Sequence, residues 1–334
     1  MRALRVLTWH VHGNYLFYLS QTPCDFYVPV KPGRPEGYGG RSGTLPWPDN
    51  LHEINAEEVK DFAFDCILYQ SRKNYFEDQY EILSEQQRRL SRIYLEHDPP
   101  REHPTDTKHP VDDPDMLLVH VTHFNNLMWD SGRTPTRVIE HGVTVPNGLR
   151  YSGEERKGIV VINGIRTRAR RVGLDVFEYV RNHIPLEIAG MASETLGGLG
   201  DLPHVDLAAV ECRHRFFFNP IRYTSLGLAV CEAMMLGIPV VGLATTEMTT
   251  VIENGRSGFI DTNVDALMEK MQMLLDDPQT AKKLGENALE YARARFGIER
   301  FARDWSRTIE EVCFGFDWMT SIVEMETQLS GSEQ

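Results

Sequence analysis

Residues 219–243, NPIRYTSLGLAVCEAMMLGIPVVGL, combine the groups needed to hold a phosphorylated ligand that also carries hydroxyls. The pattern reads as a turn, a short amphipathic helix ended by Gly237, and a strand beginning at Pro239. A helix start leaves backbone N–H groups without intrahelical partners, and these attract phosphate together with the positive end of the helix dipole. Thr224 or Ser225 is expected to cap that start, turning the amides of Leu226, Gly227 and Leu228 outward. Gly227 would let a ligand approach the main chain. Glu232, farther along, is placed to accept hydrogen bonds from hydroxyls beyond the phosphate, and a diol such as ribose is a natural partner. Most helical acids merely face solvent, so the case for Glu232 rests on its surroundings.

The rest of the chain must supply a scaffold for that helix start. Its 334 residues suit two domains, and 41% hydrophobic with 25% charged residues is ordinary for a globular protein. A formal charge of −13 weighs against nucleic acid or an anionic membrane as the main partner. Five scattered cysteines without CxxC spacing resemble thiols of a reducing compartment, with no bridge expected. No window of about 18 apolar residues suggests a membrane span. A cytoplasmic location is therefore expected, with peripheral membrane contact left open.

Residues 3–9 read as a buried first strand followed by a Gly-containing loop and a helix, the usual opening of a doubly wound sheet. Residues 28–50 are dense in Gly and Pro and read as a long mobile loop, a candidate lid. A strand near Cys66, a charged helix over 75–91 and strands near Tyr94, Leu118 and Val138 complete a first half. The turn-rich stretch 145–158 is the best linker candidate, after which strand and helix alternate again. Two α/β domains facing a cleft are the expected architecture, with the ligand between them.

The segment TSLGLAVCEAMMLGIPVV resembles EGFGLxxLEAMAxGxPVV of the large retaining family of GT-B glycosyltransferases, family 4 or group 1, at Gly227, Leu228, Glu232, Ala233, Met234, Gly237, Pro239, Val240 and Val241. The resemblance implies two Rossmann-like domains, with a nucleotide-sugar site in the C-terminal one. Thr224 stands where that family has the first Glu of its paired-acid motif, a shorter neutral hydroxyl in place of a carboxylate. In VINGIRTRARRVGLD, Arg166 and, five positions later, Arg171 fit the pair of cations that such enzymes place on the diphosphate, Arg171 standing for a lysine. TEMTTVIENGRSGFI resembles the family's donor-side loop and puts Glu247 at its glutamate. Gly13, after the first strand, and His97, in LEHD, fall at positions that face the cleft in similar enzymes.

The implied domains are 1–148 for the acceptor, 149–305 for the nucleotide sugar, and a helical tail, 306–334, packing back on the first. The implied reaction is transfer of a sugar from a UDP- or GDP-linked donor to a hydroxyl of a glycan, lipid-linked or small-molecule acceptor. Anomeric configuration is retained, with protein cations in place of a metal and no cofactor. Catalytic roles fall on Arg166, Arg171 and His97, and donor contacts on Gly13, Thr224, Ser225, Leu226, Gly227, Leu228, Glu232 and Glu247. A nucleotide-sugar binding protein with little activity and a sugar-nucleotide epimerase stay as alternatives. An oxidoreductase is disfavoured, because no GxGxxG follows the first strand. His10 and His12, or His97, His103 and His109, make a metal site conceivable, but no HExxH or Cys/His spacing supports one.

Overall fold

The computed structural model describes residues 2–11, 13–41, 43 and 45–315. Strands β1 (Arg5–Thr8), β2 (Asp25–Val30), β3 (Leu51–Asn55), β4 (Cys66–Tyr69), β5 (Ser91–Glu96), β6 (Leu117–His120) and β7 (Thr136–Val138) form one sheet in the order β3-β2-β1-β4-β5-β6-β7. A second sheet orders β8 (Glu155–Val161), β9 (Leu186–Ala189), β10 (His214–Asn219), β11 (Val240–Leu243) and β12 (Gly258–Asp261) as β12-β11-β10-β8-β9. All pairings are parallel, as in Leu7↔Ile67 between β1 and β4 and Phe217↔Ile159 between β10 and β8. The runs CILY, LLVH, HRFFFN and VVGL are buried along their whole length, because helices cover both faces of a parallel sheet. The chain is thus the doubly wound α/β pair that its alternation predicts. Among the described residues, no helix is long and apolar enough to cross a membrane.

The candidate lid is shorter and more firmly held than its composition suggests. Residues 28–30 belong to β2, and β3 follows the loop directly; both strands escape a sequence reading because Pro29 interrupts one and His52 and Glu53 dilute the other. The remaining loop is pinned by Arg34 Nη1 to Glu53 Oε1 at 2.9 Å and by the Arg41 amide to the same oxygen at 2.7 Å. Gly40, at φ +61°, lies so close to Glu53 that a Cβ would stand 2.2 Å from the carboxylate. The charged helix expected over 75–91 is likewise broken, into Asn74–Asp78, Gln79–Ile82 and Gln87–Arg89. The break falls at Leu83, whose backbone is extended, and the Ser84 amide donates to Gln87 Oε1 at 2.8 Å before the last turn begins.

The last helix, Ile298–Phe314, leaves the second domain and docks on the first. Trp305 is fully buried and donates Nε1–H to Tyr15 OH at 3.2 Å, while Arg137 pairs with Glu311 at 2.6 Å. The return crossing therefore lies at Phe296–Gly297, where the Val143 amide bonds Phe296 O at 3.0 Å, rather than at residue 306. The part of the expected tail beyond residue 315 lies outside the described residues.

Candidate active site

A doubly wound sheet opens a crevice where strand order reverses, beyond the carboxyl ends of the strands. In the second sheet that point lies between β8 and β10, so the loops following these strands meet there. They pack tightly: a Cβ on Gly173 (φ +81°) would stand 2.0 Å from Pro220 O, and the Arg222 and Tyr223 amides both bond Arg171 O, at 3.1 and 3.2 Å. This close approach fixes Arg171 beside the helix Leu228–Met235.

A cavity of about 450 Å³ lies between the domains, lined by Tyr15, His97, Asp98, Arg101 and His141 from the first and by Arg168, Arg171, Ser225, Leu226 and Leu228 from the second. Burial is the main influence lowering the pKa of both Arg168 and Arg171; Arg171 adds to the effect on Arg168, and Arg101 adds to it on both. Asp98, which pairs with Arg101 Nη2, is the carboxylate that offsets them. Three guanidiniums against one carboxylate make this a site for an anion.

The helix start differs in detail from expectation. Gly227 (φ −70°, ψ 133°), not Thr224 or Ser225, occupies the cap position and, lacking a side chain, makes no cap bond to the first amides. A Cβ on Gly227 would meet no protein atom within 4 Å, so the space before it is open. The loop is braced from the other domain: His141 Nε2–H donates to Leu226 O at 2.9 Å. Burial pushes the His141 pKa down to about 4, which keeps the ring neutral. Sequence alone offers no signal for this contact, since His141 and Leu226 lie far apart in the chain.

Ser225, Leu226, Leu228, Arg171 and His97 thus meet at one cavity, and Gly227 lies between two of its lining residues. His97 Nε2 is 3.2 Å from Gln70 Oε1, and its ring packs edge-on to Tyr15 at 4.8 Å. Gly13 opens the helix Gly13–Leu19 at the reversal point of the first sheet, two residues before Tyr15. Thr224 is half-buried, next to Ser225. Arg166, by contrast, faces a neighbouring loop, where Nε and Nη2 donate to Thr195 Oγ1 and O, each at 3.1 Å. Arg168 is the second cation of the cavity, and the run RTRARR was its signal; Arg101 and Asp98 carried none beyond their closeness to His97.

The two acids face elsewhere. Glu232 is 5% exposed and accepts a hydrogen bond from Tyr18 OH at 2.5 Å, across the domain boundary, with His204 Nε2 at 3.8 Å. Burial raises its pKa, and the bonds from Tyr18 and Asn14 oppose that rise. Glu247 is 2% exposed; Oε2 accepts the Phe124 amide at 2.8 Å, at the start of the first-domain helix His123–Met128, and Oε1 accepts Thr250 Oγ1 at 2.7 Å. Neither carboxylate lines the cavity. An adjoining cavity of about 410 Å³ in the first domain shares His97, Asp98 and Arg101 with it and adds Gln70, Arg72, Glu96 and Trp129.

The described histidines do not converge on one metal position. His10 Nδ1 meets Gly40 O, His109 bonds Glu96 Oε2 at 3.1 Å, and His97 turns to Gln70, while His12 lies outside the described residues. Glu155, Glu187 and His214 do approach within 4.8 Å of one another, but Lys157 Nζ already bonds both acids, at 2.8 and 3.0 Å.

Residues 176–277 match the family model "Glycosyl transferases group 1". Trehalose synthase of Pyrococcus horikoshii is 36% identical over 74 residues, covering 22% of this chain and 18% of that enzyme. D-inositol 3-phosphate glycosyltransferase 2 of Catenulispora acidiphila is 36% identical over 94 residues, 26% of this chain and 22% of the relative. These matches span about a fifth of the curated relatives. In fold the likeness extends over nearly the whole chain. Sucrose-phosphate synthase of Thermosynechococcus elongatus superposes with a TM-score of 0.68 at 15% identity, over 92% of this chain and 99% of that one. HepE of Anabaena in complex with UDP gives 0.64 at 14% identity, over 92% and 100%. Two parallel sheets of seven and five strands in this arrangement are the GT-B fold.

Proposed function

We propose that a chain with this fold and this segment is a retaining group 1 glycosyltransferase. It moves a sugar from a UDP- or GDP-linked donor to a hydroxyl of a glycan, lipid-linked or small-molecule acceptor, without a metal ion. The observation that carries this reading is the convergence of Arg101, Arg168 and Arg171 with an open helix start at one interdomain cavity. The bond to be broken joins the anomeric carbon to a diphosphate oxygen, and negative charge grows on that oxygen as it leaves. Arg168, Arg171 and the amides near Gly227 meet this charge in fixed positions, which lowers the barrier without reorganisation. The departing phosphate takes the acceptor hydroxyl's proton on the same face, so retention needs no nucleophilic carboxylate, unlike a retaining hydrolase. His97, shared by both cavities, stands where donor sugar and acceptor would meet.

In this reading Arg168 takes the role that spacing gave to Arg166. Glu232 reaches the ribose hydroxyls only after its bond to Tyr18 opens, which couples donor binding to movement between the domains. Gly13 and Thr224 border the donor path, whereas Glu247 reaches it only after its bond to the Phe124 amide opens. UDP is the first nucleotide to test, since HepE was crystallised with it. Titration with UDP- and GDP-sugars, followed by a transfer assay on mixed acceptors, is the decisive experiment: binding and turnover are expected. Tight binding with no turnover would leave a nucleotide-sugar binding protein, the reading favoured by the neutral Thr224. A free epimerised sugar nucleotide formed without acceptor would make it an epimerase.

A further inference from the structure

We propose that Cys66 and Cys313 form a peroxide-sensitive dithiol that closes to a disulfide and fastens the last helix to the first sheet. Cys66 is the first residue of β4 and is fully buried; Cys313, in the final turn of the helix Ile298–Phe314, is half-buried and reachable from solvent. Two bonds from adjacent residues hold them together. Cys66 pairs in register with Ser91 on β5, whose Oγ donates to Val312 O at 3.0 Å, and Cys313 Sγ donates to Asp65 O at 3.7 Å. The last helix packs directly on β4 here, and each thiol perturbs the titration of the other.

That contact makes the pair unequal. The Cys66 thiol donates toward Cys313 and keeps its proton, its pKa raised by that bond and by burial, whereas the same bond lowers the pKa of Cys313. The more exposed sulfur is therefore the nucleophile and the buried one its resolving partner. The Cys313 thiolate attacks a peroxide oxygen and the O–O bond breaks; the hydroxide released takes a proton to become water, leaving a sulfenic acid. Cys66 sulfur then attacks the sulfenic sulfur, the S–O bond breaks, and the departing hydroxide leaves as water with the Cys66 proton. Two thiols lose two electrons, and one hydrogen peroxide is reduced to two waters. Both cysteines lie at the amino-terminal edge of the first sheet, whereas the cleft lies beyond the strands' carboxyl ends. The device is thus separate from the proposed transfer site. Cys24, a buried third thiol that feels the charge of Cys313, is the competing partner.

The test uses the reduced full-length protein, freed of reductant, treated with a small molar excess of hydrogen peroxide and then alkylated under denaturing conditions. Two of the five thiols should become unavailable, intact mass should fall by two hydrogens, and peptide mapping should join residue 66 to residue 313. The melting temperature should rise by roughly 5 °C and return on adding dithiothreitol. Cys24→Ala should behave like wild type, and Cys313→Ser should neither cross-link nor shift. Five free thiols after oxidation, a bridge to Cys24, or Cys313 arrested as a sulfinic acid would each overturn the proposal.

Discussion

On the second-domain side of the cleft, cations and acids are in opposite states. Arg168 and Arg171 come from consecutive helical turns, share a cavity with Arg101 and have one carboxylate, Asp98, to offset them, while Glu232 and Glu247 are buried and bonded to the first domain. An anion would relieve the first group, whereas anything recruiting the second must displace a protein partner. The difference teaches that groups arranged for phosphate can wait ready-made, while a buried carboxylate needs a substitute donor until ligand hydroxyls arrive.

The sharpest way to break this comparison is on the cationic side. Replacing Arg168 and Arg171 together with Ala should reduce turnover by about 10³-fold, and each alone by about 10²-fold, with little change in melting temperature. Steady-state donor consumption beside a thermal melt would measure both, and equal losses of activity and stability would return the arginines to a structural role. The brace across the cleft gives the next effect. His141 is held near a pKa of about 4, below its ordinary 6.5, so the unfolded chain binds a proton that the folded one refuses. Stability from this site is intact above pH 6.5 and lost as pH falls toward 4, by on the order of 3 kcal/mol. His141→Asn should flatten that slope in denaturant titrations; an unchanged slope would remove His141 from the account.

For the acids, Glu232→Gln should weaken nucleotide binding by about 1–3 kcal/mol if the carboxylate reaches ribose. Tyr18→Phe should then leave binding unchanged or tighten it by about 1 kcal/mol, because the competing donor is gone. Isothermal titration of both variants separates a ligand contact from a domain fastener: if Tyr18→Phe weakens UDP binding as much as Glu232→Gln, the clasp itself is what matters. The smallest effect belongs to Arg166→Ala, where bonds to exposed Thr195 predict less than about a twofold change in turnover. A loss matching that of Arg171→Ala would restore Arg166 to the site.

Much of the fold was legible because it follows from local pattern. Apolar runs such as HRFFFN and VVGL between helical segments state a doubly wound parallel sheet, and the Ser225–Leu228 loop states a helix start open to an anion. Strands β2 and β3 were missed where Pro29, His52 and Glu53 spoil the apolar run, since pairing of β2 with β1 and of β3 with β2, rather than composition, holds them in the sheet.

By itself, then, the sequence determined the alternation of elements, the likeness of 224–241 to a donor-binding segment and the supply of arginines after β8. The tertiary structure decided which of those arginines meets the cleft, because a short turn from Gly164 (φ +56°) through Arg168 sends neighbouring side chains to different sides. It also decided that His141 braces Leu226, that Tyr18 holds Glu232 and that Cys66 meets Cys313. Each of these joins residues at least 85 positions apart, and no local periodicity encodes such a contact. It arises only when two domains and a returning helix pack against one another.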